Sequence, residues 1–458
     1  MSIVGIILTL VMIGGLFYLS REKEIVTSRA LWIPVVWLLI VGSRPVTAWL
    51  NVHRNVTLET QYTESSPVDA AFFGVLILGA ALVMNRRWRV ARRLLQFNVP
   101  ILLYFVYCAA SISWADDPVI ATKRWVKAFG EFIILVVALT DPSPIVALKR
   151  VFSRVSFLLI PLSILFIYVV PSMGTSFDPS DGKTIYFGVC TWKNQLGVLC
   201  LICGLTSLWQ FLDAYERKGK TGRTPQMVAH GFICIASVWL IVKADAMTSL
   251  SCFGLAGVVL LMSMSTRLAR RPNGVLVLVT AATGVALFAL FFNSSMLHSL
   301  GRNSTLTGRT EIWAAVLAQH TNPFIGTGFE SFWMGTRMQS VWDLSQVGIE
   351  EAHNGYIEFY VNLGWIGVAI LGLLIVSGYR NAIGLFRRSP QAGSVRIALF
   401  TAGLIFNCTE AGFRMMTLIW IGFLLAITDV PQMVMEQAHR ERVPLRQMFS
   451  HRKLRVLQ

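Results

Sequence analysis

Charge is scarce in this chain, and acid is scarcer than base. Of 458 residues only 14% are charged, with 24 acidic against 40 basic side chains. A soluble domain carries about a quarter of its residues as charges, so a soluble globular fold is excluded. Motif absences narrow the chemistry as well. There is no complete Gly-x-x-x-x-Gly-Lys-Ser/Thr loop, no His-Glu-x-x-His and no Gly-x-Ser-x-Gly, which removes the commonest nucleotide, zinc-protease and serine-hydrolase signatures. An Asp-x-Asp pair of the sort that holds a metal on a sugar nucleotide is also missing. Asp116 and Asp117 are adjacent, hence splayed, and read as a turn before Pro118. No internal repeat or low-complexity tract is evident.

What the chain has instead is apolar length. It is 55% hydrophobic, with a mean hydropathy of +0.61, and apolar runs close to the ~20 residues that cross a bilayer recur from end to end. This predicts an all-α integral membrane protein with about 12–13 transmembrane helices and one long, partly helical periplasmic loop. Hydropathy places the spans at 3–19, 30–49, 68–84, 96–113, 125–140, 151–171, 194–213, 226–243, 247–266, 274–293, 354–377, 395–409 and 415–435. The first run lacks a basic region before it and a small-residue cleavage site after it, and is expected to be a retained helix rather than a signal peptide. Residues 1–435 form one polytopic membrane domain and 436–458 a basic cytoplasmic tail. Six of the seven cysteines lie in apolar segments. Cys200-x-x-Cys203 has no second ligand pair and reads as packing rather than metal binding.

The net charge of +16 suits a membrane protein whose basic residues lie on one side better than a nucleic-acid binder. Alternate connections support this. One set (20–29, 85–95, 141–154, 214–225, 267–273, 378–396 and the tail) holds 28 of the 40 Lys and Arg residues, and the other holds 12. The basic set is expected to be cytoplasmic and to face membrane lipids through stretches such as Arg86 to Arg93. The other set then faces outside, towards the periplasm. It includes the longest connection, 294–353, which reads as a functional or folded cap, with a helical patch over 307–320 stopped by Asn322-Pro323.

Ionisable groups at membrane helices tend to line cavities or pathways. In this topology Lys123 with Arg124, Lys193 with Asn194, Lys243 with Asp245, Arg302 and Arg309, His353, and Glu410 with Arg414 all fall on the outer face. That convergence predicts a polar pocket there. Arg309 opens the loop helix and is either an anion ligand with a forked donor pair or a solvated partner of Glu311. Lys193 is either a second cation or a snorkelling interfacial lysine. His353 is either a general base kept neutral by the helix N-terminus or a capping residue beside Asn354, with Glu350 and Glu351 pulling towards the charged form. Glu358, one turn further in, either faces the same pocket or pairs with a basic neighbour.

Four segments occur in order: Thr307-Gly308-Arg309-Thr310-Glu311-Ile312-Trp313; Asn322-Pro323-Phe324-Ile325-Gly326-Thr327-Gly328-Phe329; Ala352-His353-Asn354-Gly355-Tyr356-Ile357-Glu358; and Leu363-Gly364-Trp365-Ile366-Gly367. Together they resemble the O-antigen ligase and polysaccharide polymerase superfamily. Ser113-Trp114-Ala115-Asp116-Asp117-Pro118 with Lys123-Arg124 is similar to that family's early outer loop. Trp192-Lys193-Asn194-Gln195-Leu196-Gly197 and Thr409-Glu410 resemble elements of its exopolysaccharide-polymerase branch. The resemblance covers about residues 110–415. It departs where many ligases carry a Ser-Arg pair, since 243–249 reads Lys-Ala-Asp-Ala-Met-Thr-Ser, and this leans towards a polymerase.

The resemblance implies a metal-independent, inverting glycosyl transfer at the periplasmic face, with no cofactor, from a glycan on undecaprenyl diphosphate. His353 would be the base. Arg309, Arg302, Lys193 and Arg124 would hold the diphosphate, and Asn354, Glu358, Glu410 and Asn194 would support them. A chain-length regulator is a candidate partner and nucleic acid is not. The alternatives are a ligase acting on lipid A-core or another acceptor and, more remotely, a transporter or flippase.

Overall fold

The computed structural model describes residues 3–21, 27–51, 66–177, 182–217, 222–264, 305–345 and 349–430, with five further positions between 274 and 284. The expected span 274–293, Arg302 and the tail 436–458 lie wholly or mostly outside the described residues. The architecture is almost entirely helical. In chain order the main helices are α1 (Ile3–Leu19), α2 (Trp32–Val41), α3 (Pro67–Arg86), α4 (Trp88–Phe97), α5 (Val99–Ser111), α6 (Pro118–Leu139), α7 (Pro144–Tyr168) and α8 (Lys193–Glu216). They continue with α9 (Arg223–Lys243), α10 (Met247–Met264), α11 (Thr305–Leu317), α12 (Gly335–Ser345), α13 (Gly355–Arg388), α14 (Pro390–Phe406) and α15 (Leu418–Ile427). A small antiparallel hairpin pairs Thr175–Phe177 with Thr184–Tyr186.

Six of these helices, α3, α7, α8, α9, α10 and α13, are long and apolar enough to cross a membrane, or seven counting the bent pair of α4 and α5. The protein is a multi-pass membrane protein. Each expected span other than 274–293 has a helix in it, but α1, α2 and α15 are short. Helix α6 carries Lys123, Arg124, Lys127 and Glu131 within its 22 residues. Those charges belong to the site side of the bundle, which is why apolarity alone does not mark α6 as a span. The bend of 87° between α4 and the segment Val99–Trp114 follows from sequence. Val90, Ala91 and Leu94 of α4 are buried while Arg89, Arg92 and Arg93 are exposed, the pattern of a helix lying along an interface.

Exposed apolar side chains such as Ile7, Leu8 and Val11 on α1 and Leu78 and Leu82 on α3 suit a lipid-facing surface. The centre of the bundle is built from α7, α8, α13, α14 and α15, where Trp209, Trp420 and Phe423 are buried. All seven cysteines are free, six of them buried. The loop before α13 has a small core, in which Val316, Phe332, Trp333, Met338 and Val341 pack together with Val361 of α13. The described part of the long connection therefore forms a folded cap, in keeping with its length.

Candidate active site

The cap is held to the bundle through a break in α13. Gly364 has φ +64° and non-helical ψ, a backbone state that glycine adopts without a steric penalty. A Cβ there would stand 2.2 Å from the Phe324 carbonyl carbon. The Asn322-Pro323-Phe324 turn enters this break. Its carbonyls at Pro323 and Phe324 accept the amides of Trp365 and Ile366, at 2.9 and 3.1 Å, and the amides of Thr327 and Gly328 donate to Val361 and Asn362. Asn322 Oδ1 accepts the Phe324 amide at 3.0 Å, while Trp114 Nε1 donates to the Ile325 carbonyl. Two of the four motif segments thus satisfy each other's broken backbone hydrogen bonds.

A second clamp sits at the start of α13. Asn354 caps the helix by accepting the amides of Tyr356 and Ile357 at 3.0 and 3.2 Å, the usual work of an N-cap side chain. The Gly355 amide donates to the carbonyls of Asn407 and Glu410. An added Cβ on Gly355 would stand 1.8 Å from Asn407 Oδ1, so this close approach requires glycine. Glu358 is buried and accepts from the Ala352 amide at 2.6 Å, from Trp333 Nε1 at 2.9 Å and from Asn362 Nδ2 at 3.3 Å. Glu358 thus holds the loop bearing His353 in place, with the charge of Arg414 acting on it from nearby.

These clamps bring the charged side chains together. Arg309 Nη2 donates to Glu410 Oε1 at 2.7 Å. Glu410 Oε2 lies 3.1 Å from His353 Nδ1, and Glu351 Oε1 lies 3.0 Å from the same nitrogen. Glu351 Oε2 is 3.5 Å from Arg414 Nη1, and Arg414 Nε is 3.4 Å from Glu330 Oε2. Arg124 donates to the Glu330 carbonyl. The result is a continuous row in which cations and carboxylates alternate, with four cations if His353 is charged and three anions. Two of its backbones are in the left-handed region, His353 at φ 47° and Glu330 at 52°, as is that of neighbouring Met416 at 59°. Non-glycine residues held there cost of order 1 kcal/mol each and cluster at functional sites. A cavity of about 160 Å³ lined by Arg124, Glu330, Trp333, Glu350 and Arg414 opens beside the row. Beneath it lies an aromatic floor of Tyr104, Phe359, Phe413 and Trp420, with ring centroids 5.3 to 6.3 Å apart.

Burial opposes the charged form of His353, but the hydrogen bonds and charges of Glu351 and Glu410 outweigh it and raise the imidazole to about 10. This reverses the expectation of a neutral ring. Two ionised carboxylates within hydrogen-bond reach exceed the partial charge of one helix terminus. Burial also works against the Glu351 carboxylate, yet His353, Arg414 and Arg309 hold it below its ordinary range.

Arg309, Arg124, His353 and Glu410 are therefore gathered in one site, with Asn354 and Glu358 positioning them. Arg309 pairs with Glu410 rather than Glu311. Lys193 is exposed on the first turn of α8 and takes no part in the row, nor does Asn194. Arg414, weighed only as one of several outer-face charges, proves central. Glu330 was not singled out, and Glu351 was weighed only as pulling His353 towards the charged form. Glu351 had a signal in its two-residue spacing from His353, whereas Glu330 is a lone loop acid that only the tertiary closure brings in.

The sequence profile described as O-Antigen ligase matches residues 222–372. The resemblance to the O-antigen ligase family holds. The matched stretch runs from the start of α9 into α13, so it includes Arg309 and His353 and stops short of Glu410 and Arg414. The chain is also 25% identical over 292 residues to the exopolysaccharide production protein ExoQ of Rhizobium meliloti (strain 1021), covering 61% of this chain and 64% of that protein. The similarity thus spans less than two thirds of that relative's own length.

Proposed function

We propose that this protein is an inner-membrane glycosyltransferase that polymerises undecaprenyl-diphosphate-linked oligosaccharide repeats at the periplasmic face, as an exopolysaccharide or O-antigen polymerase. The observation that carries this reading is the alternating row from Arg309 through Glu410, His353, Glu351 and Arg414 to Glu330. It concentrates cationic donors at the end of a membrane bundle, where a bilayer-anchored donor presents its diphosphate.

In the transfer, the acceptor hydroxyl attacks the anomeric carbon and the bond to the diphosphate breaks with inversion. The electron pair leaves on undecaprenyl diphosphate. Arg309, with Arg124 and Arg414, neutralises the charge growing on that leaving group, a term that counts most in a water-poor site. The acceptor's proton passes to the unit formed by Glu351, His353 and Glu410. That unit carries net negative charge even with the imidazole protonated, and its members share protons as a group. His353 is the residue that links them.

The ligating atoms of Glu351, His353 and Glu410 lie within 4.8 Å of one another, a donor set able to take a divalent ion. Each carboxylate is already engaged by an arginine, Arg309 on Glu410 and Arg414 on Glu351, and an ion would have to compete with both. This supports metal-independent transfer, with guanidinium groups supplying the positive charge.

The absence of arginine across 243–249 and the similarity to an exopolysaccharide production protein favour a polymerase over a ligase. Sizing the glycan in cells lacking the gene tests this. Loss of long polymer with single repeats left on the lipid carrier is the expected result. Long chains stranded on the carrier would instead identify a ligase.

A further inference from the structure

The largest polar cavity among those described lies far from this site. Helix α6 spans the distance: Arg124, near its start, meets the active-site row, and Asp141, just past its end, accepts the Ser28 amide at 3.0 Å. Its 22 residues extend roughly 33 Å, about a bilayer's hydrocarbon thickness. Near the Asp141 end, α1, α7, α8 and α9 enclose a cavity of about 250 Å³. Arg21, Lys149, Arg150, Arg154 and Arg217 line it together with His230, and no acid lines it among the described residues. Asp213 stands nearby and takes Lys149 at 2.5 Å and Arg217 at 2.6 Å.

Two lining groups each have a buried nitrogen with no hydrogen bond among the described residues. His230 is 3% exposed, and its Nδ1 makes no hydrogen bond. Arg154 has a buried Nη1 with no hydrogen bond, although its guanidinium lies 4.5 Å from the centre of the Trp32 ring. A buried donor left unsatisfied costs on the order of 1–3 kcal/mol, more when charged. Five cations around a polar space with two such atoms make a built receptor for an anion, and forked guanidinium donors suit phosphate oxygens. Phe17 lines the same cavity, and the outer side of α1 is apolar and exposed, so the space adjoins the surface that lipid would cover.

We propose that this cavity binds a phosphate group on the face opposite the active site, with Arg154 and His230 as its inner ligands. An anionic phospholipid headgroup and a soluble phosphate ester share this chemistry. The test uses the full chain, purified in zwitterionic detergent and stripped of lipid. Its unfolding midpoint is read with phosphatidylglycerol mixed micelles, with phosphatidylcholine mixed micelles and with millimolar inorganic phosphate. Wild type is compared with Arg154→Gln, Arg154→Lys and His230→Gln, each against its own ligand-free midpoint. Phosphatidylglycerol is expected to raise the wild-type midpoint by several degrees where phosphatidylcholine does not. Arg154→Gln and His230→Gln should lose most of that shift, and Arg154→Lys should keep part of it. An equal rise with inorganic phosphate alone would support the site with a soluble ligand. The proposal is overturned by no shift with either phosphate source, or by a shift that the folded variants retain in full. If one glutamine variant does not fold, the other and Arg154→Lys still decide.

Discussion

His353 sits between two carboxylates, and that placement can be tested at the residue scale. Its pKa is raised from the ordinary 6.5 to about 10 in the folded state. Stability from this group is therefore fully present below about pH 6.5 and is lost as pH rises through about 10. Detergent-solubilised wild type should lose thermal stability across that window more than His353→Gln does. Parallel pH profiles for the two would show that the carboxylates do not hold a charged imidazole. Arg309→Lys should keep the ion pair with Glu410 but lose the forked geometry, with transfer falling at least tenfold while insertion stays normal. Full transfer by the lysine variant would reduce Arg309 to a surface charge.

At the scale of elements, the close approach of α13 to the end of α14 sets the site. Gly355→Ala would drive a methyl group into Asn407 and should destabilise the protein by about 3 kcal/mol or more, at the severe end of single substitutions. A drop in folded yield and midpoint would register it, and a neutral result would mean the turn at 407–410 yields readily. The Ala-His-Asn-Gly and Asn-Pro-Phe segments were legible as marks of a resemblance, and the helix start at Asn354 as a cap. Their physical reasons were not legible, because a pairing between the 323–328 loop and the Gly364 break joins residues far apart in sequence. Lys193 shows the opposite error. Charge counting grouped it with the outer-face charges, but a face is wider than a site, and its side chain is exposed. His353 was expected to be neutral because the helix terminus was visible in sequence, while Glu410, 57 residues away, was not a visible neighbour.

Across the whole molecule, hydropathy located a helix in every expected span that the structure describes outside 274–293, since apolar length is a local property. Counting full crossings was harder, because α6 is studded with site charges and α4 turns to run along the surface. The asymmetry of basic connections implied two unlike faces, and the bundle has them: a mixed-charge row at one end and a basic cavity at the other. If guanidinium groups supply the site's positive charge, chelation should leave transfer intact; loss on chelation with recovery on adding a divalent ion would assign Glu351, His353 and Glu410 to a metal instead. The most direct measurement is the glycan profile of cells whose only copy of the gene carries His353→Ala, with the variant shown to be inserted and folded. The account predicts no long polymer and single repeats held on undecaprenyl diphosphate, and normal polymer in those cells would contradict it.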